Sequence, residues 1–136
     1  MTDRTMIDEF RANDGKVGGR FEGAPLLLLH HVGARTGQER VSLMMYQAVD
    51  TGYAVFASRG GAPSHPAWYH NLVANPEVTV EVGTETIEVT ARVTKSDERE
   101  PIWVEQKRAY PFFAAYEQKI DRQIPVVILE PRTGDR

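Results

Sequence analysis

Two short stretches of the chain concentrate residues able to hold an anion. In "HVGARTGQER", Gly33, Arg35, Thr36, Gly37 and Arg40 set two guanidinium groups, a hydroxyl and a flexible backbone within one connection. Glycine lets backbone amides approach an anion closely, and arginine grips phosphate or carboxylate through two parallel hydrogen bonds. The same composition also suits an ordinary glycine turn with solvated arginines. A second cluster, "SRGG" at Ser58, Arg59, Gly60 and Gly61, ends a strand-like run and leads into "SHPAWYHNLVANP". There Ser64 is placed to cap a helix with Pro66 near its first turn, and the free amides of a helix start favour negative charge. Arg35, Arg40, Arg59 and this helix start converge if their strands share one end of the fold.

Other chemistries are poorly served. His65 and His70 are five apart, off one helical face, and no carboxylate accompanies them at ligand spacing, so zinc is not expected. There is no cysteine, no serine in a nucleophile elbow and no acid pair set for hydrolysis. A bound cofactor is then the economical source of reactivity. His30 and His31 lie in an apolar run, which requires at least one of them to point inward with a hydrogen-bond partner. Trp68, Tyr69 and Leu72 have the spacing of a packed helix face, and Asn71 is the unusual member of that segment.

The elements that must position these residues form a mixed pattern. Residues 5–13 carry Met6, Ile7 and Phe10 at helical spacing, giving a short, lightly anchored first helix stopped by "DGKVGG". "APLLLLHHVG" reads as a strand buried on both faces. "RVSLMMYQAV" and "YAVFAS" flank Asp50, Thr51 and Gly52 as a hairpin, and "EVTVEVG" and "ETIEVTARVT" form another around Gly83 and Thr84. Residues 96–109, with Ser96 as N-cap, read as a helix broken at Pro111 and restarted by "PFFAAYEQKI"; "IPVVILEP" is a last strand. Six strands in hairpins with peripheral helices imply an α+β, mainly β fold, a small closed or half-closed antiparallel barrel. Closure removes exposed edges.

At 136 residues, 41% of them hydrophobic, the chain suits one domain over residues 1–136. A formal net charge of −3 argues against nucleic acid as a partner and confines any anion site to a local cluster. The polar N-terminus lacks a signal-like apolar segment, and "APLLLLHHVG" is too short to span a bilayer, so a soluble, cytoplasmic protein is expected.

"FRANDGKVGG", "HHVGARTGQERVSLMMY", "FASRGGAPSHPAWYHNLVANPEVTVEVG" and "IPVVILEP", in this order, resemble the motifs of the deazaflavin-dependent nitroreductase and quinone reductase family of actinobacteria, which uses coenzyme F420. The resemblance covers nearly the whole chain. It implies a split β-barrel related to FMN-binding oxidoreductases, and hydride transfer from reduced deazaflavin to an electron-poor small molecule: a quinone, nitroaromatic or activated alkene. It assigns the cofactor's phosphate, tail and adjoining backbone to Arg35, Thr36, Gly37, Arg40, Ser58, Arg59, Gly60 and Gly61, with Trp68 and Asn71 beside them. The strand holding Leu43, Met44 and Met45 is assigned to the ring, although Leu43 and Glu39 stand where many relatives carry proline. Tyr110, Phe113 and Tyr116 match substrate-pocket positions, the tyrosines as positioning groups or proton donors and Phe113 for stacking. The family includes homodimers and monomers, and its first helix, here about residues 4–13, can act as a lid or touch the inner face of the plasma membrane. An FMN-dependent enzyme of the same fold and a non-catalytic deazaflavin carrier are the alternatives.

Overall fold

The computed structural model describes residues 4–132. Strand β1 (Leu26–Val32) is buried on both faces because alternate residues serve different cores. Leu27 and Leu29 point into the barrel with Val55, Val80, Val89, Val127 and Leu129, while Leu26 and Leu28 face outward beneath helix α1 (Arg4–Ala12).

β1 pairs antiparallel with β2 (Glu39–Met45) and with β5 (Glu77–Val82); the hairpin to β6 (Glu85–Val93) turns at Gly83 and Thr84. β7 (Val126–Pro131) joins β6 to β4 (Gly52–Phe56), and β4 pairs with β3 (Gln47–Val49). The strand order is β2-β1-β5-β6-β7-β4-β3, seven strands among the described residues rather than the six expected. The extra one comes from "RVSLMMYQAV", which breaks at Tyr46 into β2 and β3. Those two strands lie at opposite ends of the order yet are joined by that single residue, so the sheet curls until one segment supplies both of its edges. That is how a half-open antiparallel barrel closes.

A second core, Ala54, Phe56, Trp103, Phe113, Ile124 and Val126, lies between the barrel and helices α3 (Ser96–Ala109) and α4 (Phe112–Gln118). Pro111 separates them as expected. Ser96 does not cap α3: the N-cap is Lys95, no side chain bonds there, and the serine is the first helical residue. Likewise Ser64 does not cap helix α2 (Ala67–Ala74). Pro66 is the N-cap, and the Ser64 hydroxyl accepts a hydrogen bond from Arg59 at 2.6 Å.

The first helix is held more firmly than its length suggests. Phe10 is 1% exposed, Arg11 forms two hydrogen bonds to Glu81 at 3.0 and 2.6 Å, and the Glu9 carboxylate accepts the Gly18 amide. His30 also meets Glu81, at 2.6 Å. Gly15, with φ of 93°, lies so close to the β5–β6 turn that a Cβ there would fall 2.8 Å from Gly83 Cα. Both its conformation and the contact demand glycine. The apolar side of α1 faces the barrel, leaving Arg4, Thr5, Asp8 and Arg11 outside. Among the described residues no helix is long and apolar enough to cross a membrane.

Candidate active site

β2 ends the sheet, and the flank of this strand that β1 does not cover opens on a cavity of about 600 Å³. Met6 and Phe21 close it from the α1 side, while Arg59, Pro66, Ala67 and Trp68 close it from the other; His31, Arg40, Val41, Ser42 and Leu43 complete the wall. Arg40 and Ala67 also line an adjoining cavity of about 600 Å³, with Gly33, Arg35, Thr36, His70 and Asn71. The structure thus brings Arg35, Thr36, Arg40, Leu43, Arg59, Trp68 and Asn71 around two neighbouring spaces that share Arg40 and Ala67. The start of α2 lies at their junction without a side-chain cap.

Other candidates are placed differently. The Met44 side chain packs toward the barrel interior, and Met45 toward the outer cores. Ser58, Arg59, Gly60 and Gly61 form a tight 3-10 turn (Arg59–Gly61) behind the first cavity. Arg59 sits at φ 50°, a left-handed conformation that L-residues rarely adopt. Gly61, at φ 85°, packs against α4: a Cβ would fall 3.3 Å from Tyr116 Cα. Tyr116 therefore adjoins the turn, but neither it nor Tyr110 is among the residues lining the two cavities. Phe113 is 5% exposed and packs on Phe56 and Trp103, so its ring serves the core in this conformation, with Tyr116 edge-on and Phe112 stacked against it.

Two features were not legible in the sequence. Arg122, in the turn before β7, clamps the Ala57–Ala62 segment: its guanidinium donates to the carbonyls of Ala57, Ser58 and Ala62 at 3.1, 3.0 and 3.1 Å and contacts His65 Nδ1 at 2.8 Å. Burial, and secondarily the nearby Arg59 charge, lower its pKa. No motif distinguishes this arginine from any other in a turn.

The second is a chain of polar groups centred on the buried pair His31 and Asn71. The Ala34 amide donates to Asn71 Oδ1 at 2.9 Å, Asn71 Nδ2 meets His31 Nδ1 at 2.9 Å, and His31 Nε2 meets Ser42 Oγ at 2.9 Å. His31 is the inward, hydrogen-bonded histidine expected of its strand. Burial first, then the charge of Arg40 and the neighbouring His30, hold its pKa down to about 4.

Arg35, Arg40, Arg59 and Arg122 have no carboxylate within ion-pair distance among the described residues. Three exposed guanidinium groups, an uncapped helix start and glycine-rich turns around a two-part cavity form a donor set for an elongated polyanion. A flat group would lie along β2. A phosphate-bearing cofactor with an anionic tail fits these residues.

This arrangement belongs to a structural class, the FMN-binding-like split barrels; distant solved structures, 19% and 13% identical with TM-scores of 0.61 and 0.56, share the fold. Residues 2–131 match the family model described as F420H(2)-dependent quinone reductase, and the chain belongs to that family. An F420H(2)-dependent quinone reductase of Mycobacterium tuberculosis (strain H37Rv) is 38% identical over 128 residues, 90% of this chain and 85% of that protein. A solved F420-H2 dependent reductase (FDR-A) is 42% identical, covering 78% of this chain and 94% of its own, with a TM-score of 0.71. A further solved structure, described only as a domain-swapped dimer, is 40% identical over 91% of each chain, with a TM-score of 0.73.

Proposed function

We propose that the protein is a coenzyme F420-dependent reductase whose acceptor is a quinone, with nitroaromatics and activated alkenes as further acceptors of the same electron-poor class. When bound, the cofactor would supply a hydride from its reduced deazaflavin ring. The protein's part is to bind, orient and exclude water. Arg35, Thr36 and Gly37 would hold the acidic tail; Arg40, Arg59 and the α2 start would hold the phosphate; Leu43 and Trp68 would bound the ring. Tyr110 or Tyr116 would give a hydrogen bond or proton to the acceptor's oxygen, Tyr116 from beside the Arg59–Gly61 turn.

The observation that carries this reading is the set of cations without carboxylate partners among the described residues around two adjoining cavities. One phosphate, as in FMN, would need only one of them. The domain-swapped relative supports a homodimer for this chain as well, and a cytoplasmic setting goes with the reading. Parallel titration with F420 and FMN, followed by oxidation of the reduced cofactor with menadione, tests it. Selective deazaflavin binding with quinone-dependent turnover is expected. Preference for FMN would replace the cofactor, and binding without turnover would make the protein a carrier.

A further inference from the structure

The hydrogen-bonded chain from Ala34 through Asn71 and His31 to Ser42 has only one consistent proton arrangement. A backbone amide can only donate, so Asn71 Oδ1 must accept from Ala34, and the amide orientation of Asn71 is thereby fixed. Asn71 Nδ2 then donates to His31 Nδ1, so the neutral imidazole carries its proton on Nε2. That proton goes to Ser42 Oγ. The serine oxygen is occupied as an acceptor, and its own O–H has no other partner among the described residues.

Ser42 lies on the wall of the cavity beside β2, between Arg40 and Leu43. We infer that Ser42 is a cofactor-orienting hydroxyl, locked as a hydrogen-bond donor into this cavity by His31 and Asn71, and that it donates to an acceptor atom on the polar edge of the bound deazaflavin ring. His31 and Asn71 are positioning residues. Asn71 is 6% exposed with both polar atoms engaged within the chain, which gives it this task rather than a direct grip on the cofactor. The same chain ties the Gly33–Gly37 loop, the wall of the tail cavity, to the wall of the ring cavity. The two halves of the site thus share one registration.

The inference rests on the deazaflavin reading above, and its test separates the two. F420 affinity and the visible absorption of the bound cofactor would be measured for wild type, Ser42→Ala, Ser42→Thr, His31→Leu and His31→Gln. Ser42→Ala should weaken binding about 10-fold, near the upper range of one net hydrogen bond, and remove the protein-induced spectral shift. Ser42→Thr should restore both, because it keeps the hydroxyl. His31→Leu should lose the shift, whereas His31→Gln, with one acceptor and one donor for the same two neighbours, should retain much of it. Wild-type affinity and spectrum in Ser42→Ala would overturn the inference. So would a defect that threonine fails to repair, since the hydroxyl would not be responsible. A wild-type protein that ignores F420 but takes up FMN would overturn the functional reading, and this inference with it.

Discussion

On the side built by β6, β7, α3 and α4, cationic side chains find carboxylates. Arg92 lies between Glu98 and Glu130, Arg99 meets Glu100, Lys107 meets Glu117, and Arg108 meets Glu105. At the barrel end built by the 33–38 loop, β2 and the 57–67 segment, Arg35, Arg40, Arg59 and Arg122 have none within ion-pair distance among the described residues. Exposure makes this arrangement cheap for the first three, which water solvates. Arg122 is partly buried, and carbonyl oxygens and an imidazole nitrogen surround its charge. The contrast separates uses of arginine: Arg92 and Arg99 tie α3 to the strands beside it, Arg122 clamps the turn behind the cavities, and Arg35, Arg40 and Arg59 wait for an anion that a ligand brings. Changes on the first side should alter stability, and changes at the second should alter binding.

Acid titration separates the two ends most strongly. His31 has a folded pKa of about 4, below the unfolded value near 6.5, so the folded protein binds fewer protons between those limits. Its contribution is complete above pH 6.5, falls as pH drops toward 4 and is constant below. The full loss is about 3 kcal/mol. On the paired side, hydrogen bonds from Arg92 lower the pKa of Glu98; Glu117 is also held low, where bonds from Lys107 and Trp103 outweigh burial acting the other way. Carboxylates depressed in this manner stabilise above their unfolded value and lose that effect as pH falls through the folded one, in a more acidic window. Urea denaturation across pH 7 to 3 should show both windows, and His31→Gln should abolish the upper. A single loss confined to pH below 4.5 would show that His31 is not buried neutral.

Arg99→Ala should lower unfolding free energy by about 2–3 kcal/mol, because the Ile124 carbonyl loses both its guanidinium donors and Trp103 loses a cation 5.3 Å from its ring centre. F420 affinity of the folded variant should not change. A comparable loss of affinity would mean that the two ends are coupled.

Arg59→Gly should do the reverse. It removes charge-assisted contacts of about 1.5–3 kcal/mol, hence weakens F420 binding about 10-fold to 100-fold. It also relieves a left-handed conformation that glycine adopts freely, so thermal stability should hold or rise. A melting temperature several degrees lower would show that the Arg59 side chain supports the turn instead of the ligand.

The parts of this division that were legible in the sequence share a physical cause. β1 could be read because two-sided burial demands an unbroken apolar run, and the β5–β6 hairpin because one wet face demands alternation. Each cation loop taken alone reads equally as an ordinary glycine turn, and only the helix start that follows the second one tips the reading toward an anion site. Closure at Tyr46 could not be read, since nothing local marks a strand that changes partners midway. The roles of Ser42 and Arg122 depend on residues 11 or more positions away in sequence, whose approach only the fold creates. Asn71 is the unusual member of its segment in the sequence, but its task follows from the direction of one backbone amide.

The smallest effect sharpens the comparison from its weak end. Arg108 and Glu105 form a bidentate pair on the exposed face of α3, at 2.6 and 2.8 Å. Short distances here do not imply a large contribution, because solvent screens the pair and two long side chains lose freedom in making it. Arg108→Ala should leave the urea midpoint within experimental scatter of wild type and F420 binding untouched. Raising salt should likewise leave wild-type stability nearly constant while weakening the cofactor, whose charges meet Arg35, Arg40 and Arg59 in the open. If salt instead lowered stability and spared binding, the paired side would be the one relying on its charges, and the division drawn between the two sets of arginines would be reversed.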